Sequence, residues 1–495
     1  MGFINISEEM LNIAFTENGD KVFRSTGSYC LDYFALVGGM RYNLTDALNC
    51  FLRAYSEDKI LAIKILFFSR DVRGGLGERR IFRYTFNSLC NLCPEVARKV
   101  ISYIPQYGRY DDLLSALNTP LKNDVVSIIN EQLNKDIVAK SNNQSISLLA
   151  KWMPSINTSS YETVLQANTL ARELGLTKEV YRKTLSSLRK GIIIENNLRE
   201  KDYSFDYEQV PGKAMFKYRE AFARNDKERY ETYLSLVKKG KAKMNSKTIY
   251  PYEVIRDLEK NIHWYNTKKW NISKEKINSL DTIWNSFNHE KIDSKTIVVR
   301  DGSGSMYDNQ PVSASCVATS LAILFAERLT GEFHNKFITF SSKPRLVSVV
   351  GENIYEKYVN IVRYDDCSNT NIEKVYNLIY DVYKSEDFKK EDALDRIVII
   401  SDMEFDASTH SKKSTFEVFK EKFNKLGFEV PQLVFWNVRA RDVHLPIRKG
   451  ENNVALVSGA SSNVIDMVIS NTAYDPYNTM LEILAKYSFV DNLGI

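Results

Sequence analysis

Apolar residues recur at three- and four-residue spacing from about residue 33 to about residue 287 of this 495-residue chain. That periodicity predicts amphipathic helices. They are expected over residues 44–55, 58–68, 81–92, 94–104, 110–117, 122–135, 161–175 and 178–191. Another ends at Pro154, and a final helix or two within 262–287 is anchored by Trp264, Trp270 and Trp284. Asn43 and Thr45 are both N-cap candidates for the helix over 44–55. Short links between these stretches suggest stacked antiparallel helix pairs, as in an α-solenoid, although no clean repeat period marks them. Residues 1–30 read as polar and irregular, with a turn at Glu17-Asn18-Gly19-Asp20.

From residue 296 the pattern changes. Short β-branched runs near 296–300, 336–340, 346–350, 396–401, 432–436 and 454–457 alternate with helical stretches over 312–328, 371–383, 414–426, 464–470 and 477–487. Such alternation predicts a doubly wound α/β sheet. The chain is therefore expected to hold an α-helical repeat domain over 1–290 and an α/β domain over 291–495.

Hydrophobic content of 44% and charged content of 26% are those of a globular protein, and a net charge of +5 predicts no partner by itself. No apolar run approaches the length needed to span a bilayer. The first ten residues lack a secretory pattern, and Ile6 stands where a myristoylation signal needs Ser or Thr. The six cysteines have no framework spacing, and Cys90-x-x-Cys93 has no second pair. They are read as reduced thiols of a cytoplasmic protein.

The chemistry concentrates after the strand at 296–300. Asp301-Gly302-Ser303-Gly304-Ser305 places one carboxylate and two hydroxyls, two residues apart, at the C-terminal end of a strand, where open α/β sheets put their ligand sites. Hard oxygens of this kind suit Mg²⁺. Thr370, in Cys367-Ser368-Asn369-Thr370-Asn371, offers another hydroxyl, and the buried run 396–401 ends in a second aspartate, Asp402. The acids Asp365 and Asp366 read as solvated loop groups or, alternatively, as groups that support the metal ligands from behind. Together the three loops resemble the metal-ion-dependent adhesion site of a von Willebrand factor A domain. The resemblance implies that Asp301, Ser303, Ser305, Thr370 and Asp402 hold Mg²⁺ or another divalent cation. It also implies an open metal position that takes a partner's carboxylate.

In the helical half, Arg70, Arg73, Arg79 and Arg80 crowd the glycine-rich stretch Arg73-Gly74-Gly75-Leu76-Gly77. The stretch lacks the Gly-Lys-Ser/Thr ending of a nucleotide loop, so it reads either as a phosphate contact or as a turn with solvated arginines. Lys213 and Lys217 enter a helix in which basic and aromatic residues interleave with acids. Lys238, Lys239, Lys241 and Lys243 follow in a run without acids. Basic residues among aromatics fit a surface that neutralises phosphate and stacks bases, and a mixed-charge solvated helix fits the first part as well.

Arg73–Arg79, Gly108-Arg109-Tyr110-Asp111-Asp112-Leu113, Lys151-Trp152-Met153-Pro154 and the start of the helix after Val210-Pro211 are similar to an uncharacterised family of bacterial, phage and giant-virus proteins. That family joins a helical domain to a von Willebrand A-like domain. More distantly the organisation resembles the Ro autoantigen (TROVE) family, with a HEAT-like helical ring whose ends the A domain bridges. Ro proteins bind misfolded RNA ends in the ring and small non-coding RNAs on its basic outer face. The resemblance implies a non-enzymatic RNA-binding protein. Two alternatives stand beside it: a module whose metal captures a protein partner's carboxylate, and a metal-assisted phosphohydrolase built on Glu404 and Asp406 beside Asp402.

Overall fold

The computed structural model describes residues 10–190, 193–259, 272–287, 290–308, 310–365, 371–406, 415–470 and 475–495. Helices occupy most of the first half, and their starts follow from local chemistry. Asn43 accepts from the backbone N–H of Asp46 at the head of Leu44–Glu57, and Asp58 accepts from Leu61 at the head of Lys59–Arg70. Thr177 does the same for Lys178–Arg189. Each side-chain oxygen satisfies a helix-end donor that has no partner within the helix. Helices Tyr29–Leu36, Leu44–Glu57, Lys59–Arg70 and Arg79–Leu92 pack on one another around Tyr33, Phe51, Phe67 and Phe82. Farther along, Lys122–Ser141 packs on Lys178–Arg189, and Gly212–Asn225 on Lys227–Lys238.

Three expectations change. The stretch 94–104 breaks into Pro94–Val100, a 3₁₀ turn at Ile101–Tyr103 and Ile104–Tyr107, because Pro105 starts a new helix rather than continuing the old one. Residues 110–116 form a 3₁₀ helix held by Asp112, not an α-helix. Residues 13–23 are regular rather than irregular: β1 (Ile13–Phe15) and β2 (Lys21–Phe23) make an antiparallel hairpin around the expected turn, while residues 1–9 lie outside the described residues. The expected helix start at 262–271, with Trp264 and Trp270, lies outside the described residues; Lys274–Asn285 is helical, with Trp284 buried.

The second half is a six-stranded sheet. Its strands are β3 (Thr296–Asp301), β4 (Lys336–Phe340), β5 (Leu346–Ser348), β6 (Arg396–Ser401), β7 (Gln432–Asn437) and β8 (Val454–Ser458). Their order is β5-β4-β3-β6-β7-β8, all parallel except β5 at the edge. β3 and β6 are buried on both faces, as parallel strands between helix layers must be, and read as unbroken apolar runs for that reason. They are adjacent, pairing Thr296 with Arg396 through Arg300 with Ile400, so the loops that leave their C-terminal ends meet.

The helical half begins and ends on this sheet domain. Helix Tyr29–Leu36 packs beside β8, where the Gly38 N–H donates to Ser458 Oγ at 3.0 Å. The late helix Pro251–Glu259 packs on Ala314–Arg328. The turn after helix Tyr29–Leu36 also meets the late helix: Arg41 pairs with Glu78 and lies over the Tyr252 ring at 5.2 Å. The start and the end of the helical half thus come together beside the sheet.

Candidate functional sites

The first site forms where β3 and β6 end. Asp301 is fully buried; its Oδ1 accepts from the Ser303 N–H at 2.9 Å and its Oδ2 from Ser401 Oγ at 2.6 Å. The first bond folds the loop back on the strand end, which brings Ser303 Oγ within 2.9 Å of Ser305 Oγ. Gly302 leaves room for Asp365, whose Oδ1 would lie 2.6 Å from any Cβ placed there. Asp365 is not a solvated loop acid. It is buried against Arg300, accepting from Nη2 at 2.9 Å, and also takes the Tyr307 hydroxyl, so it ties the second loop to the first.

Asp402 follows β6 and is 2% exposed. Its Oδ1 accepts from the Glu404 N–H at 3.3 Å, while its buried Oδ2 has no hydrogen-bond donor among the described residues and faces Arg441 Nη2 at 3.5 Å. Burial, and then repulsion from Asp402, push the Asp301 carboxyl up to about 7. Burial also raises Asp402, against the pull of Arg441 and Ser305. Two buried carboxylates and two hydroxyls, one carboxylate oxygen lacking a donor, form a hard-oxygen donor set that fits a divalent cation such as Mg²⁺. Among the described residues no group of three or more His, Cys, Asp or Glu gathers here or elsewhere, so the two serine hydroxyls are needed to complete the donor set. Of the expected ligands, Asp301, Ser303, Ser305 and Asp402 come together, and Thr370 lies outside the described residues.

The second site lies in the helical half, and there the candidate cations divide. Arg70 is withdrawn from any surface role: it is 2% exposed and pairs with Asp112, Nη2 to Oδ2 at 2.6 Å. Lys213 pairs with Glu253 and Lys238 with Asp281 at 3.2 Å, so both charges are partly spent inside the protein. Arg73 donates to the Gln106 carbonyl at 3.3 Å, and Arg80 lies over Tyr42. Lys217 lies over Tyr218, whose hydroxyl donates to Glu195 at 2.9 Å. Lys239, Lys241 and Lys243 are exposed around the end of helix Lys227–Lys238.

Arg79 is exposed and sits beside Arg83 and Arg109; burial of its head group and repulsion from those two arginines lower its affinity for the proton. The Arg109 guanidinium stacks on the Trp152 ring at 3.6 Å, and Lys151 Nζ lies 5.4 Å from the same ring. Arg83, Arg109, Lys151 and Trp152 were not among the candidates. The signal for Arg109, Lys151 and Trp152 lay in the Gly108–Leu113 and Lys151–Pro154 stretches, which stood out for resemblance but not for charge; Arg83 lies in neither and carried no signal of its own. The glycine-rich stretch is not a phosphate cradle. Asp71 Oδ1 takes its Arg73 and Gly74 amides, Lys486 takes the Gly74 carbonyl, and the Tyr250 side chain fills the space beside Gly77.

Residues 119–294 match a domain of unknown function, DUF2828, and residues 295–486 a second one, DUF7788. The uncharacterized protein L728 of Acanthamoeba polyphaga mimivirus is 30% identical over 522 residues, covering 97% of this chain and 88% of that protein. Among solved structures, the Ro (RSR) protein of Deinococcus radiodurans aligns over 94% of this chain and 99% of its own. The identity there is 10% and the TM-score 0.36, a likeness too distant to bear on fold or function.

Proposed function

The chain belongs to the family of the mimivirus protein L728, and we propose that this member is a non-enzymatic protein that holds single-stranded RNA on its helical half. The observation that carries this reading is the Arg109–Trp152 stack beside Arg79, Arg83 and Lys151. Three separate segments bring cations around one aromatic face, although the acids Asp111 and Asp112 neutralise only part of the charge. Phosphates would neutralise the rest, and an aromatic ring beside them suits an unpaired base. Exposed Lys239, Lys241 and Lys243 offer a second place for the backbone.

Binding of a fluorescent single-stranded RNA should weaken steeply between 50 and 200 mM salt. Arg79→Glu should cost about tenfold and flatten that dependence, and Trp152→Ala should cost roughly 1–3 kcal/mol, the value of one stacked base. RNA binding that ignores both substitutions, or that ignores salt, would rule this surface out.

The convergence of Asp301, Ser303, Ser305 and Asp402 favours a second reading, independent of the first. The α/β half would be a von Willebrand A-like docking module that these four residues, with Thr370 implied by resemblance, load with Mg²⁺. When bound, the ion would supply an electrophilic position for a partner's carboxylate. Asp301→Ala should abolish divalent-ion binding in calorimetry without loss of the fold by circular dichroism; retained binding would refute the assignment. Hydrolysis is the weaker alternative, because Glu404 is committed to the Glu17 N–H at 2.9 Å rather than poised over the site.

A further inference from the structure

The amino-terminal hairpin is docked on the third loop of the metal site. Thr16 Oγ1 donates to the Phe405 carbonyl at 2.6 Å, the Glu17 N–H to Glu404 Oε2 at 2.9 Å, and Asn18 Nδ2 to the Glu404 carbonyl at 2.8 Å. Gly19 and Asp406 form an antiparallel bridge. A turn from the start of the chain is therefore registered, bond by bond, against the residues that follow Asp402.

Arg441, on the loop after β7, joins this turn to the site. Its Nη2 donates to the Ser305 carbonyl in the first loop and lies 3.5 Å from Asp402 Oδ2 in the third. Its Nη1 lies 3.2 Å from Glu17 Oε2 on the hairpin. The neighbouring Arg439 is committed elsewhere, to Asp308. One guanidinium thus touches the first and third loops and the hairpin, and its Nη2 faces the Asp402 oxygen that has no hydrogen-bond donor among the described residues. A divalent ion seated among Ser303, Ser305 and Asp402 would lie within a few ångströms of that charge, where repulsion is strong in a buried setting.

We propose that Arg441 is the resident cation of this site. A divalent ion must displace its guanidinium, and the displacement loosens the Thr16–Asp20 turn that Arg441 holds through Glu17. Arg441 therefore sets how tightly the site takes a metal, and metal loading is coupled to the docking of the amino-terminal hairpin. This inference rests on the metal-binding reading of Asp301, Ser303, Ser305 and Asp402.

The test uses the full chain and Mn²⁺ alone, by calorimetry and by amide hydrogen exchange over residues 13–23. Arg441→Gln should bind Mn²⁺ at least tenfold more tightly than the wild type, while Arg441→Lys, which keeps the charge, should stay within about threefold of it. Mn²⁺ should speed exchange in the wild-type hairpin and leave the Arg441→Gln hairpin, already loosened, unchanged. Glu17→Gln leaves the core untouched and hands Arg441 wholly to Asp402, so it should weaken Mn²⁺ binding about threefold; that result carries the test if Arg441→Gln does not fold. Equal Mn²⁺ affinity in the wild type, Arg441→Gln and Glu17→Gln would leave the metal site standing and overturn the role of Arg441. No Mn²⁺ binding in any of the proteins would overturn the metal reading and the coupling together.

Discussion

Asp112 shows how much of the helical half rests on one side chain. It is fully buried and takes Arg70 Nε at 2.7 Å, Arg83 Nε at 2.6 Å and the Arg109 N–H at 2.9 Å. Asp112→Ala strands the Arg70 guanidinium in the core, and losing one partner of a buried pair costs about 3–5 kcal/mol. A urea midpoint should fall accordingly, and the double variant Arg70→Met/Asp112→Ala should recover most of the loss, because the fully buried charge is gone and the less buried Arg83 keeps its pair with Asp111 at 2.7 Å. An equal loss in both variants would show that packing around Asp112, not its charge, matters. The same residues mark a limit of sequence reading. Nothing in the glycine-rich neighbourhood separates Arg70 from Arg79, because the group that buries Arg70 lies 42 residues away. Asp301, Ser303 and Ser305 were legible because their spacing alone brings them together, and Asp402 because it ends a strand of the same apolar kind.

At the scale of elements, the glycine-rich loop after helix Lys59–Arg70 is shaped by a close approach. Gly77 has φ +71°, a conformation that costs other residues roughly 1 kcal/mol or more, and its Cα faces the Tyr250 hydroxyl. Gly77→Ala should lower stability by about 2–3 kcal/mol, the sum of backbone strain and collision. Tyr250→Phe removes the colliding hydroxyl, so the double variant should regain the collision part and keep the strain. Thermal melts of the four proteins form a double-mutant cycle, and strict additivity would mean that the two residues do not meet. The long, strongly periodic helices and the apolar strands β3 and β6 were readable because burial imposes a period or an unbroken run. The β1–β2 hairpin was not, since three-residue strands are too short to display alternation.

At the scale of the molecule, the meeting of early and late helices on the sheet domain left no periodic trace in the sequence, and one buried acid makes that junction testable. Glu259 ends the helix Pro251–Glu259, which packs on Ala314–Arg328; its Oε1 accepts from the Tyr358 hydroxyl at 3.2 Å, with Cys316, Arg256 and Arg300 nearby. Burial, working against the Tyr358 hydrogen bond and the Arg300 charge, raises its carboxyl from 4.5 to about 7. Between those values the folded protein keeps a proton that the unfolded chain has released. Stability at this site is therefore greatest below about pH 4.5, declines as pH rises and levels off above about pH 7. At 1.36 kcal/mol per pKa unit the full change is at most about 3 kcal/mol. Glu259→Gln stays neutral throughout, so urea midpoints of the two proteins should nearly coincide at pH 4 and separate by pH 8, with the glutamine variant the more stable. A gap of the same size at both pH values would mean that the Glu259 carboxyl does not titrate with the joining of the two halves, and that the packing of Pro251–Glu259 on Ala314–Arg328 holds the junction without help from its protonation.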